Sequence, residues 1–169
     1  MEPLTNQEHA LQKWRKGQAS LEDVRALSHG IGKQPFEPGI PALVQLLDHE
    51  DEVVRYSAAK ALGFDLKYKP ATDKLVVMLE QDADEDAKDV AAGALKVIWQ
   101  NTKEPLILKA LAKSALTDPD EDLRNHAYKT LLFVNGVPRE EHLQLLTDEN
   151  VQVDPTRVKA IVDEISGKD

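Results

Sequence analysis

The chain has 169 residues, 21 Lys and Arg against 30 Asp and Glu, a formal net charge of −9 and no cysteine. That length suits one domain, and the lack of cysteine excludes disulfides and thiol chemistry. The acidic balance argues against unspecific nucleic-acid binding, which needs a basic surface to displace counterions.

Taken in order, residues 5–16 read as a first helix, with Thr5 and Glu8 at capping-box spacing, Leu11 and Trp14 in its apolar stripe and Gly17 as its stop. Residues 20–28 form a second helix, capped by Ser20 with Asp23 three residues on. Leu21, Val24 and Leu27 face inward, and His29, Gly30 and Gly32 end the helix. Pro35, Pro38 and Pro41 punctuate an extended connector, and Pro41 suits the first turn of the next helix.

Residues 40–63 form a helical hairpin. Leu43, Val44, Leu46 and Leu47 share one face of its first helix, and Val54, Ala58, Ala61 and Leu62 share one face of its second. Between them Asp51 is placed to cap the second helix. Residues 65–71 form a connector that Pro70 keeps from being helical, and Asp73 is expected to cap a helix over 74–80. The turn 81–86 carries Asp82, Asp84, Glu85 and Asp86 and reads as a solvated capping turn before a helix over 87–100. Pro105 opens the next helix, up to Leu116. Pro119 and Asp120 make its turn, residues 123–134 follow as a helix, and Asn135-Gly136 stops it. A helix over 138–146 comes next. Asp154-Pro155 starts a last helix with Val158, Ile161, Val162 and Ile165 on its apolar face, closing the end of the stack before a frayed tail at 167–169.

The hairpin recurs. Lys88 lies 33 residues after Arg55, and Arg124 lies 36 after Lys88. Around these anchors fall matching columns: Asp51, Asp84 and Asp120; Val54, Ala87 and Leu123; Ala58, Ala91 and Ala127; Leu62, Leu95 and Leu131. Upstream, Leu47, Leu79 and Leu116 end each first helix. The alanines allow close helix approach, as do Ala61 and Ala94, while Thr130 stands in that column of the third copy and predicts looser packing. One hairpin cannot bury its apolar sides alone, so the copies must stack.

Asp51-x-x-Val54-Arg55 and Asp120-x-x-Leu123-Arg124, each followed by Ala and Leu, resemble HEAT repeats, in particular the short bacterial type called phycobilisome-lyase HEAT-like repeats. The resemblance covers residues 40–136 well and the ends weakly. It implies an all-α fold, a right-handed α-solenoid of antiparallel helix pairs. Cap helices would occupy 1–38 and 137–169, and three repeats 39–136. It further implies that the second helices line a concave face, and that Arg55 and Arg124 bond to acidic turn residues of the adjacent repeat. Lys88 lacks the planar fork of Arg, which puts the bond in doubt for the middle copy. Asp51, Arg55, Asp84, Asp120 and Arg124 are therefore expected as structural residues between repeats. Members of the family include chromophore lyases, adaptors, DNA glycosylase relatives and inhibitors, so membership gives fold rather than function.

No catalytic or metal constellation emerges. His9, His29, His49, His126 and His142 include no pair three or four residues apart on one helix, as a zinc site would need, and all five are read as surface or helix-end residues. The acidic turn lacks the ligand pattern of a calcium loop. Trp99 is read as core. Positions one and five after each anchor should point away from the core, giving a ladder of Tyr56, Lys60, Asp89, Asn125 and Lys129, with Lys96 and Tyr128 nearby. Tyrosine mixed with charged side chains on a rigid surface suits protein recognition. The sequence thus predicts a non-enzymatic protein-binding scaffold, monomeric and without cofactor, metal or nucleic-acid partner. The alternatives are an immunity or inhibitor protein acting on a basic toxin or nuclease, and a bilin-lyase-like chromophore-handling protein. No apolar run approaches the roughly 20 residues of a membrane span, and the N-terminal residues lack a secretory pattern, so the expected location is the cytoplasm.

Overall fold

The structure, a computed structural model, describes residues 5–29, 37–148 and 151–167. The stops expected at Gly30 and Gly32, the Pro35 of the connector and the tail at 168–169 lie outside it, as do the side chains of Leu21 and His29. Among the described residues there are ten α-helices and no strand. They are α1 (Asn6–Arg15), α2 (Leu21–His29), α3 (Ile40–Leu46), α4 (Glu52–Lys60), α5 (Thr72–Gln81), α6 (Glu85–Trp99), α7 (Pro105–Thr117), α8 (Glu121–Asn135), α9 (Arg139–Thr147) and α10 (Pro155–Ser166).

Local chemistry sets the helix starts. A helix leaves its first N–H groups without partners, and short polar side chains supply acceptors. Thr5 and Glu8 form the reciprocal capping box of α1. Ser20 and Asp23 do the same for α2, with the Ser20 N–H donating to Asp23 at 2.9 Å and the Asp23 N–H donating to Ser20 at 3.2 Å. Asp51 accepts from the Val53 N–H at 2.9 Å, Asp84 from Ala87 at 2.9 Å, Asp120 from Leu123 at 2.7 Å, and Asp154 from Thr156 at 2.9 Å. Asp73 is different. Pro70 sits in a 3-10 turn, Lys69–Ala71, that leads directly into Thr72, so α5 begins before Asp73 and has no side-chain cap.

The helices pack in two rows. α2, α4, α6 and α8 lie side by side as one row; α5, α7 and α10 form the other. This is an α-solenoid, in which each pair touches mainly its neighbours. The alanine column holds as expected: Ala58, Ala91 and Ala127 are all buried between successive helices. Leu43, Leu62, Leu75, Leu95, Leu111 and Leu131 fill the space between the rows. Thr130 is fully buried, and its hydroxyl finds no hydrogen-bond partner.

One column needs correction. Leu116 does not end α7 in the core: it is 46% exposed, while Ala115 is buried. The turns Asp82-Ala83-Asp84 and Asp118-Pro119-Asp120 superimpose in their bonding, so the inward residue lies nine before the anchor in both copies. That residue is Leu79 in the second copy and Ala115 in the third.

A second departure shapes the candidate site. Residue Gly63 does not end the fourth helix. The chain continues through a π-helical turn, Ala61–Asp65, closed by the Leu66 N–H donating to the Ala61 carbonyl at 3.0 Å. Gly63 lies against α6 so closely that a Cβ there would fall 2.2 Å from the Cβ of Ala94. Only glycine permits that approach without movement.

Candidate recognition face

The turns between α3 and α4, α5 and α6, and α7 and α8 repeat one bonding scheme. The side chain two residues before the capping Asp accepts from the cap's own N–H: His49 Nδ1 for Asp51 at 3.0 Å, Asp82 for Asp84 at 3.0 Å and Asp118 for Asp120 at 3.1 Å. In the second and third turns the same carboxylate reaches back to the preceding repeat. Arg55 grips Asp82 with two parallel bonds, Nε and Nη2 each donating at 2.7 Å, and also donates to the carbonyls of His49 and Glu50. Burial alone would push the Asp82 carboxyl up. The Arg55 guanidinium and the N–H groups of Asp84 and Ala83 outweigh it and hold the group below the usual carboxylate range.

Three expectations change here. Asp82 is buried and paired rather than solvated. Lys88 does make the cross-repeat bond: its Nζ donates to Asp118 at 2.8 Å with both side chains mostly buried. The flexible stem of lysine reaches where the fork of arginine is not required. Arg124, by contrast, donates to the Asp118 and Pro119 carbonyls of its own turn, and no carboxylate pairs with it among the described residues.

The face formed by α4, α6 and α8 carries the ladder. Tyr56, Lys60 and Asp89 are exposed on it, and Asn125, Lys129 and Lys96 are half-buried. Tyr128 is not part of it. It is 4% exposed, because Arg157 of α10 and Glu141 of α9 pack over it, and burial raises its hydroxyl above the usual tyrosine range. The helices after the third repeat cover that rung.

Two side chains join the face without having been expected there. The π turn aims Phe64 outward, 41% exposed, with its ring over Gly93; a Cβ on Gly93 would come within 2.8 Å of that ring. His126 extends across from α8, its Nδ1 in contact with the Asp89 carboxylate. Phe64 and Phe133 both stand nine residues after an arginine anchor, but Phe133 is buried, so the column alone does not reveal that Phe64 faces outward.

Tyr56, Lys60, Phe64, Asp89, Lys96 and His126 surround a groove of about 300 Å³, floored by Val90 and Gly93. Lys96 lies 5.3 Å from the centre of the Phe133 ring. Burial pushes the Lys96 ammonium below the ordinary lysine range; Asp89 pulls it up, and the Lys129 charge adds to the downward push. On its other side Tyr56 borders a second hollow of about 300 Å³ with Glu52, Val53, Asp84 and Asp86. The face is therefore divided by sign. Acids gather at the helix starts, where caps and the helix dipole favour them, and lysines stand further along each helix.

The remaining residues fall elsewhere. Trp99 is half-buried rather than fully core, its indole N–H donating to Thr72 at 2.9 Å with Lys69 over the ring. Trp14 borders a wider hollow of about 620 Å³ between the N-terminal pair and α3, away from the ladder. His142 meets the Phe133 ring edge-on at 4.7 Å. Among the described residues no group of acids and histidines is arranged to hold a metal, and no helix is long and apolar enough to cross a membrane.

No curated protein and no solved structure matches the chain. Residues 20–96 match the family model described as HEAT repeats. The matched stretch runs from the cap of α2 to Lys96, which takes in α2, the α3–α4 hairpin, α5, most of α6 and most of the groove. The chain is an all-helical α-solenoid whose stretch from residue 20 to residue 96 is similar to HEAT repeats, which supports that family.

Proposed function

We propose that the protein is a non-enzymatic interaction scaffold, and that the face of α4, α6 and α8 is where it holds a protein partner. Repeats of this family commonly serve as interaction scaffolds. The observation that carries the reading is the exposed aromatic pair Tyr56 and Phe64 beside a grooved, rigidly backed surface. Aromatic side chains left in water next to a preformed hollow are the usual anchors of protein interfaces. Their backing is stiff because Ala91, Ala94 and Gly93 bring the helices into close contact beneath them.

Affinity capture with the tagged chain tests this. Tyr56→Ala combined with Asn125→Ala should abolish capture of the partner and leave the helical circular-dichroism signal intact. Capture that survives the double substitution removes this face as the site.

A second reading, an inhibitor of a basic protein, draws on the acidic hollow of Glu52, Asp84 and Asp86 and on the net charge of −9. It places the partner at the other end of the same face. Charge reversal at Glu52 and Asp86 would weaken capture under this reading and leave it unchanged under the first.

A further inference from the structure

Three features of the ladder face, taken together, specify the chemistry of what it holds. The first is its charge. The groove contains Lys60 and Lys96, with Lys129 close enough to Lys96 to repel it. Its one carboxylate, Asp89, touches His126 and also acts on Lys96. Lys60 has no carboxylate partner among the described residues. In a chain of net charge −9, the groove has the opposite sign. One carboxylate does not offset two lysines, so an anionic ligand entering the groove meets net positive charge.

The second feature is the apolar margin. Phe64 and Tyr56 flank the lysines on the α4 side, so a ligand that satisfies Lys60 and Lys96 also lies against two rings. A free inorganic anion would leave those rings in water.

The third is α9. This helix belongs to neither row and touches α8 near the C-terminal end of that helix. It rests there through a basic side chain and an aromatic one: Lys129 donates to the Asp148 carbonyl, and His142 packs edge-on against Phe133. Its segment from Glu140 to Asp148 is acidic and leucine-rich. Lys129 thus already meets a backbone carbonyl at the end of the chain's own acidic, leucine-rich segment, and the adjoining groove is left open.

We propose that the groove between α4 and α6 binds an acidic peptide segment of a partner protein. Carboxylates of the segment pair with Lys60 and Lys96, and one apolar side chain rests between Tyr56 and Phe64. This rests on the interaction-scaffold reading and adds the sign and composition of the partner. Binding is salt-dependent, because the lysines are partly exposed and screening acts over a Debye length of about 8 Å at physiological salt. It also requires the rings, so an acidic peptide without apolar residues binds more weakly.

The test uses fluorescence anisotropy on the full chain with three labelled twelve-residue peptides. One alternates Glu and Asp with Leu and Phe; one replaces its acids by Lys; one replaces its apolar residues by Ser. A single-stranded oligonucleotide of matching charge is a fourth probe. The acidic-apolar peptide should bind at least about tenfold tighter than each of the others. Lys60→Glu and Phe64→Ala should each weaken it by about tenfold or more, while Lys113→Glu, on α7, should not. Lys60 is exposed, so its substitution leaves the fold intact, and circular dichroism checks this. The proposal is overturned if the lysine peptide binds as well or better, if the oligonucleotide binds best, or if Lys60→Glu leaves the affinity unchanged. It is also overturned if no probe binds. In each case partner capture that still depends on Tyr56 and Asn125 would leave the scaffold reading standing.

Discussion

At the scale of single residues, two contacts decide whether neighbouring repeats fit. One is the fork of Arg55 on Asp82, with side chains 15% and 6% exposed. Removing one member of a buried pair strands the other charge, a loss of about 3 kcal/mol. Arg55→Ala should lower stability by about that amount, and Arg55→Lys by less, because lysine keeps the charge but not the second bond. Chemical denaturation measures both. The same pair makes the fold sensitive to acid. The Asp82 carboxyl is held below its ordinary value, so its contribution is fully present above the unfolded-state pKa of about 3.9 and disappears as pH falls through the lower folded value. Wild type should lose more stability between neutral pH and acid than Asp82→Asn does. The other contact is Gly63 against Ala94. A Cβ 2.2 Å from its neighbour forces the helices apart, and Gly63→Ala should cost about 1–3 kcal/mol, read as a lowered midpoint of thermal unfolding.

These residues also show what could be read in advance. The capping aspartates and the alanine column were legible, because caps and close packing demand particular side chains at fixed spacing. The reach of Lys88 to Asp118 was not, since a flexible stem leaves no mark in sequence. Leu116 misled because a leucine one position out of register still looks like core. Ala115, the true occupant, is small enough to pass unnoticed.

At the scale of helices, the π turn after α4 matters most. Gly63 resembles a helix stop in sequence, yet the extra residue in the turn carries the helix on to Asp65 and rotates Phe64 onto the ladder face. Periodicity with a constant 3.6-residue step cannot reveal such an insertion. The burial of Tyr128 escaped for a different reason: it depends on how α9 and α10 dock, and those helices do not follow the repeat. α9 itself is weakly held. Leu145 is its one buried side chain, while Leu143 and Leu146 are 56% and 59% exposed. Amide hydrogen exchange should therefore be fastest in α9 among the helices from α3 onward, and slowest in α6 and α8, which bury the most side chains. Equal protection of α9 and α6 would contradict this packing.

At the scale of the whole molecule, two rows of helices give a continuous core with one divided face. The rows follow from the repeat, and the repeat was evident in the sequence. The sign pattern on the face was not, because it depends on which acids are consumed by pairing. Asp82 and Asp118 are spent on the bonds between repeats, while Asp89 stays on the face, touching His126 and acting on Lys96. What remains is an acidic margin at the helix starts and a lysine-lined groove beyond it.

We propose that this face, and not the outside of the first-helix row, meets the partner. Site-specific photo-crosslinking reports it most directly. With a benzophenone side chain in place of Tyr56, irradiation of the source cells should yield a discrete protein adduct. The same group in place of Val77, half exposed on α5, should yield none. An adduct at 77 with none at 56 would place the partner on the first-helix row instead.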